Sequence, residues 1–239
     1  MKLKCVALSH IGLRRKLNQD MAVAGESVIR DDSCNSLTDI PEDGFKFGAV
    51  VCDGLGGHSR GEVASEMACK AFRNFLDSLP ATLDDNELLM EVKRWFKETN
   101  YSIMAASPGE LMCTTLTGIL FYGETALILN AGDSRTYRRR FGEVIQLTAD
   151  HSERERTGDL SVPASRIYNC LGLPDAFLDV KLTRIVEGDS FLICSDGLSG
   201  MIPEEELKEN FSDPARLLDL ALKAGGDDNV TFICIDILE

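Results

Sequence analysis

Short runs in which apolar and polar residues alternate, or in which apolar residues follow one another without a break, predict strands over residues 2–9, 47–52, 114–121, 126–131, 180–185, 190–195 and 230–238. Between them the period changes to that of a helix. Ala64, Ala68, Ala71, Phe72, Phe75, Leu76 and Leu79 fall on one stripe, which Pro80 ends. Leu88, Leu89, Val92, Trp95, Phe96 and Ile103 form a second, with Asp84 or Asp85 placed to cap its start. A weaker helix follows Pro214 and uses Leu217, Leu218, Ala221 and Leu222.

Strands, two consecutive helices, a long run of strands, one helix and a last strand do not make the regular alternation of a parallel doubly wound sheet. The order predicts an α+β fold of mostly antiparallel sheets with helices packed outside. Residues 150–176 have no clear period and exceed an ordinary connection, which marks them as a flap-like segment near function.

Length and composition narrow the class. A chain of 239 residues, 44% of them hydrophobic, can bury a real core; with no linker, low-complexity tract or fixed repeat, it predicts one domain over 1–239. The opening residues are too short an apolar stretch for a signal peptide, and no run approaches the roughly 18 apolar residues of a membrane span. The eight cysteines lack CxxC spacing, and several lie in apolar runs, as buried free thiols do. A soluble, monomeric, cytoplasmic protein is expected, without membrane attachment. A net charge of −14 argues against a nucleic-acid partner, and the basic cluster Arg138-Arg139-Arg140 reads as a solvated strand or turn.

The acidic residues become informative through their positions. Asp53-Gly54 follows the apolar run ending at Cys52, Asp196-Gly197 follows the run ending at Ser195, and Gly132-Asp133-Ser134 follows Ala131. Asp20 and Asp228 stand at comparable edges. One Asp-Gly after a strand is ordinarily a turn. Five such sites meeting in space would repel, since a pair of like charges about 4 Å apart costs on the order of 4 kcal/mol at an effective dielectric of about 20. Cations or protons must then offset the repulsion, and all-oxygen ligation selects magnesium, manganese or calcium. Two such ions about 3.5–4 Å apart produce hydroxide from a bridging water near neutral pH, which suits hydrolysis of a phosphate ester.

These residues are similar to those of the metal-dependent serine/threonine protein phosphatases of type 2C, the PPM-type family, and most resemble its bacterial members. The resemblance runs in order through Ser9-His10-Ile11-Gly12 with Arg15, Asn18-Gln19-Asp20, Val51 to His58, Thr114-Thr115-Leu116, Ala131 to Arg135, Leu147 to Ser152, Cys194 to Leu198, and Asp228 to Thr231. It implies a four-layer α-β-β-α sandwich with the metal site at one end. It also implies two Mn²⁺ or Mg²⁺ ions held by Asp20, Asp53 as the bridge, the Gly54 carbonyl, Asp196 and Asp228. Asp133 and Asp196 match the positions of a third, weaker ion. Arg15 would grip the substrate phosphate, and His58 is a candidate for contacting substrate. Asn229 would fix Asp228, Asp150 and His151 would be structural, and Thr114 and Thr115 are read as strand residues.

The implied reaction is attack of a metal-bridging hydroxide on phosphoserine or phosphothreonine of proteins modified by a serine/threonine kinase. No cysteine is followed six residues later by Arg, so the C-x₅-R route through a covalent phosphoenzyme is absent. Two alternatives are a degenerate signalling module of the same family and a two-metal enzyme acting on a small phosphate ester. Three departures stand out: Gln19 where many members have Glu, Leu55 where animal members carry a general-acid His, and a segment at 150–176 shorter than the usual bacterial flap.

Overall fold

The computed structural model describes residues 1–41, 44–55, 60–163 and 165–239. In chain order the elements are β1 (Lys2–His10), β2 (Asp20–Ala24), β3 (Ser27–Ile29), β4 (Ser33–Asp39), β5 (Lys46–Asp53), α1 (Gly61–Ser78), α2 (Asp85–Ala106), β6 (Leu116–Tyr122), β7 (Thr125–Ala131), β8 (Arg135–Arg140), β9 (Glu143–Gln146), α3 (Glu153–Thr157), β10 (Asp179–Arg184), β11 (Ser190–Cys194), α4 (Asp196–Ser199), α5 (Glu204–Glu209), α6 (Pro214–Lys223) and β12 (Val230–Leu238). They form two six-stranded sheets, ordered β4-β1-β12-β11-β8-β9 and β10-β7-β6-β5-β2-β3. All ladder pairs between them are antiparallel.

Strand alternation explains the layering. Along β12, Ile233, Ile235 and Ile237 face the opposite sheet, while Val230, Phe232 and Cys234 face α4, α5 and α6. Along β5, Ala49 and Val51 enter the space between the sheets, and Val50 and Cys52 pack under α1 and α2. Central strands thus bury both faces, which is why they read as nearly continuous apolar runs. The result is the expected four-layer sandwich. Phe72, Phe75 and Trp95 join α1 to α2, with Phe75 and Trp95 stacked at 5.4 Å between ring centroids.

The cap of α2 is Asp84. Its side chain accepts from the N–H groups of Asn86 and Glu87, and Glu87 returns a bond to the Asp84 N–H, a complete capping box. Asp84→Ala is expected to cost about 1 kcal/mol, read as a lower urea midpoint at unchanged slope.

The basic cluster corrects the solvated reading. Arg138, Arg139 and Arg140 lie on β8 and are each half-buried. Arg140 forms a bidentate pair with Asp189 at 2.6 and 2.7 Å, and Arg139 bonds Ser190 and Ser212 at 3.2 and 2.8 Å. The predicted flap-like segment also has local order: Ser152 caps α3 and pairs with Ile167, and Leu171 pairs with Thr114.

Candidate metal centre and active site

Strand register brings the first two carboxylates together. Asp20 opens β2 directly opposite Asp53, the last residue of β5. Asp53 is held through its backbone: its N–H donates to Thr115 Oγ1 at 3.0 Å, and its carbonyl accepts from Thr115 N–H at 2.8 Å and Thr114 Oγ1 at 2.9 Å. Thr114 precedes β6, so the reading of both threonines as plain strand residues missed this positioning. Gly54 N–H donates to the Gln19 carbonyl at 3.1 Å, tying the Asp53 loop to the Asp20 loop.

The other sheet supplies the remaining groups. Asp196 opens α4 immediately after β11, and Asp228 precedes β12. Ser195 joins the two sheets, its Oγ donating to Asp20 Oδ2 at 2.7 Å while its N–H donates to the Thr231 carbonyl at 2.9 Å. Backbone contact here requires glycine. A Cβ on Gly197 would stand 1.9 Å from the Asn229 carbonyl oxygen, and one on Gly12, at φ +82°, would stand 2.1 Å from that of Asp228. Asn229 does less for Asp228 than expected: its N–H donates to Asp228 Oδ1 at 2.8 Å, but its side chain donates to the carbonyls of Ile11 and Leu17 and accepts from Gln19 N–H. The side chain therefore pins the loop that carries Arg15.

Arg15 Nη2 donates to Asp228 Oδ2 at 2.6 Å. Among the described residues this is the one ion pair made to the acidic cluster. Arg15 also feels the charges of Asp53 and Asp196, and its bond to Asp228 holds the guanidinium more firmly protonated.

Electrostatics register the crowding. Burial, then the charges of Asp20, Asp196, Asp133 and Asp228, raises the Asp53 carboxyl well above its ordinary range. Burial pushes Asp20 up to about 7, against the opposing bond from Ser195 and with help from Asp196 and Asp228. Burial and Asp196 push Asp133 up to about 7. Asp196 is raised by burial and by Asp228, and shares a hydrogen bond with Asp53. The charges of the other four predicted acids all bear on Asp53. Asp20 Oδ1 is buried and has no hydrogen-bond partner. A buried, unpartnered carboxylate oxygen beside like charges suits a cation ligand. The donor set, all oxygen, fits a hard divalent ion. No three acidic, histidine or cysteine side chains among the described residues close on one point, so any ion here draws part of its shell from water or backbone.

Arg15, Gln19, Asp53, Asp133, Asp196 and Asp228 line one side of an open cleft of about 680 Å³. Arg166, Ile167, Leu111, Cys113, Leu55 and Leu173 are among the residues that line the rest. The sequence places the 150–176 segment near function without naming these residues; its antiparallel contact of Leu171 with Thr114 and the bond from His151 N–H to the Gly132 carbonyl tie it beside the cleft. His58, Gly56 and Gly57 lie outside the described residues. His151 is structural as expected, with Nδ1 accepting from Gly132 N–H at 3.1 Å and Nε2 3.0 Å from Asp179. Asp150 forms a bidentate pair with Arg135.

A family model described as protein phosphatase 2C matches residues 24–223. The chain belongs to the protein phosphatase 2C family. It is 30% identical over 265 aligned residues to the serine/threonine protein phosphatase PstP of Mycobacterium tuberculosis, covering 99% of this chain and 45% of PstP, so it spans about half of that relative. The serine/threonine phosphatase stp of Listeria monocytogenes is 33% identical, with 78% of this chain and 83% of stp covered. The crystal structure of M. tuberculosis PstP superimposes with a TM-score of 0.81 at 30% identity over the whole of both chains. A second structure, of the PstP catalytic domain in complex with two manganese ions, gives 0.79 at 29% identity over the whole of both chains. The sandwich is thus a feature this chain shares with the two PstP structures.

Proposed function

We propose that this chain is a metal-dependent phosphatase that hydrolyses phosphoserine and phosphothreonine on proteins, as one catalytic domain with residues 150–176 forming one wall of its cleft. The observation that carries the reading is the gathering of Asp53, Asp133, Asp196 and Asp228 beside Arg15 at an open cleft, with the buried Asp20 opposite Asp53 and its Oδ1 unpartnered. Asp20, Asp53, the Gly54 carbonyl, Asp196 and Asp228 would hold two Mn²⁺ or Mg²⁺ ions, Asp53 being common to both. Asp133 with Asp196 would hold a third. The two manganese ions in the PstP catalytic domain support this assignment.

Bound divalent ions supply a water of lowered pKa and offset the charge that builds on the phosphoryl oxygens. The chain's own residues position the reactants. Thr114 and Thr115 fix Asp53 from behind, and Ser195 orients Asp20. Arg15 is 43% exposed and uses Nη2 on Asp228, leaving its other N–H donors free for a phosphate in the cleft. Leu55 lines the cleft where a proton donor would stand and has no proton to give, so solvent protonates the leaving oxygen. His58 remains the candidate for contacting the substrate beyond its phosphate.

Hydrolysis of a phosphothreonine peptide and of p-nitrophenyl phosphate should require Mn²⁺ or Mg²⁺ and stop in excess EDTA. Comparable turnover of nucleotides would favour a small phosphate ester as substrate. Arg15→Ala is expected to lower kcat/KM for p-nitrophenyl phosphate by about 10²-fold and to weaken competitive inhibition by inorganic phosphate, while the Mn²⁺ concentration at half-maximal rate changes little. An unchanged phosphate inhibition constant would remove Arg15 from the phosphate site.

With the same reading we place the protein in the cytoplasm, as a monomer opposing a serine/threonine kinase. Its eight free cysteines, seven of them buried, support a reducing compartment. No described helix is long and apolar enough to cross a membrane.

A further inference from the structure

One face of α2 carries a stripe that the fold does not use. Lys93, Lys97 and Tyr101 succeed one another at four-residue intervals and so project together. Both lysines are exposed, and neither meets a carboxylate in any ion pair among the described residues; Lys97 Nζ lies 5.7 Å from the centre of the Tyr101 ring. Like charges at this spacing disfavour a helix. Elsewhere on the same helices the cations are matched, as Lys70 is to Glu66, Arg73 to Asp77 and Arg94 to Glu91. The unmatched pair is therefore a local exception in a chain of net charge −14.

Across from this stripe stand Pro174 and Phe177, and the space between is a groove of about 420 Å³. Tyr101 is 56% exposed and Phe177 44%, so two large aromatic faces border it. Asp175, between Pro174 and Ala176, is exposed but does not line the groove. A single stretch of chain separates the groove from the metal-binding cleft, for Leu173 lines the cleft and Pro174 the groove. Asn100 stiffens that partition, accepting from Gly172 N–H at 2.6 Å and donating to the Leu173 carbonyl at 2.9 Å.

We infer that this groove binds the polypeptide flanking the phosphorylated residue of the substrate and selects flanks that combine acidic with aromatic side chains. The acidic side chains would meet Lys93 and Lys97, and an aromatic one would lie against Tyr101 and Phe177. The net charge of the chain is acidic, so a strip of two unpaired lysines beside the cleft stands out as a landing place for such a peptide. The inference rests on the protein-phosphatase reading and adds a substrate class to it.

The test compares phosphothreonine peptides of equal length, one with Asp/Glu and Tyr flanks and one with Ser/Gly flanks, alongside p-nitrophenyl phosphate, all with Mn²⁺. The unaltered protein should favour the acidic peptide by about tenfold in kcat/KM, through KM, and about 0.5 M salt should shrink the preference. Lys93→Glu/Lys97→Glu should abolish the preference while p-nitrophenyl phosphate turnover holds, which also reports that the variant is folded. Lys93→Gln/Lys97→Gln serves if charge reversal impairs folding. Equal kcat/KM on both peptides with the unaltered protein, or a preference that survives in either double variant, overturns the groove but leaves the phosphatase reading intact. Absence of p-nitrophenyl phosphate turnover by the unaltered protein overturns both.

Discussion

Asp53→Asn is expected to lower Mn²⁺-dependent turnover of p-nitrophenyl phosphate by about 10³-fold and, with EDTA present, to raise thermal stability above that of the unaltered chain. The two effects share one cause. Asp53 sits among Asp20, Asp133, Asp196 and Asp228, and burial with those charges makes its ionised form unfavourable when no cation is bound. The amide keeps shape and packing and removes the charge. Its backbone contacts to Thr114 and Thr115 do not involve the altered group, so Asp53 should remain positioned. Function and stability are thus set against each other at this residue. Kinetics and differential scanning fluorimetry in EDTA check it. A metal-free variant less stable than its parent would show that the cluster is not under electrostatic strain.

The pH dependence of the metal-free chain is the second large effect. Asp20 and Asp133 are each pushed up to about 7 from an ordinary 3.8. Between those values the folded state keeps protons that the unfolded state has released, so stability falls as pH rises through this window. The contribution is complete below 3.8 and lost above about 7. A divalent ion binds the deprotonated folded form and reverses the trend. In EDTA, the melting temperature at about pH 8 should lie several degrees below that at about pH 5.5, corresponding to a few kcal/mol. Added Mn²⁺ should raise it more at the higher pH. The difference between the parent chain and Asp53→Asn at each pH separates the cluster from the general effect of net charge. Equal Mn²⁺ shifts at both values would contradict the raised carboxyls.

Legibility in the sequence followed burial on both faces. The runs that became β5, β6, β7, β11 and β12 read as strands because two apolar layers need them, and α1 and α2 read as helices because each presents one stripe to a sheet. The strands β2 and β3 are short, and β4, Ser-Cys-Asn-Ser-Leu-Thr-Asp, lies at a sheet edge with every second residue exposed. Its pattern carries little apolar signal. The strand β8 was read as a solvated stretch because its arginines look like surface charge, whereas Asp189, Ser190 and Ser212 on neighbouring elements receive them. Those partners are 49 to 73 residues away along the chain.

The acids Asp20, Asp53, Asp133, Asp196 and Asp228 could be named in advance because each stands where an apolar run stops, and their order matched a known family. Local pattern can determine such things: which residues prefer a strand or a helix, and where the chain must turn. Only the tertiary structure decided that strand register sets Asp20 against Asp53, that Ser195 carries the contact across the sandwich, and that Arg166 and Phe177 come to stand beside the cleft and the α2 groove. These are contacts between residues distant in sequence, and their energies depend on the packing of two sheets rather than on any run of neighbouring side chains.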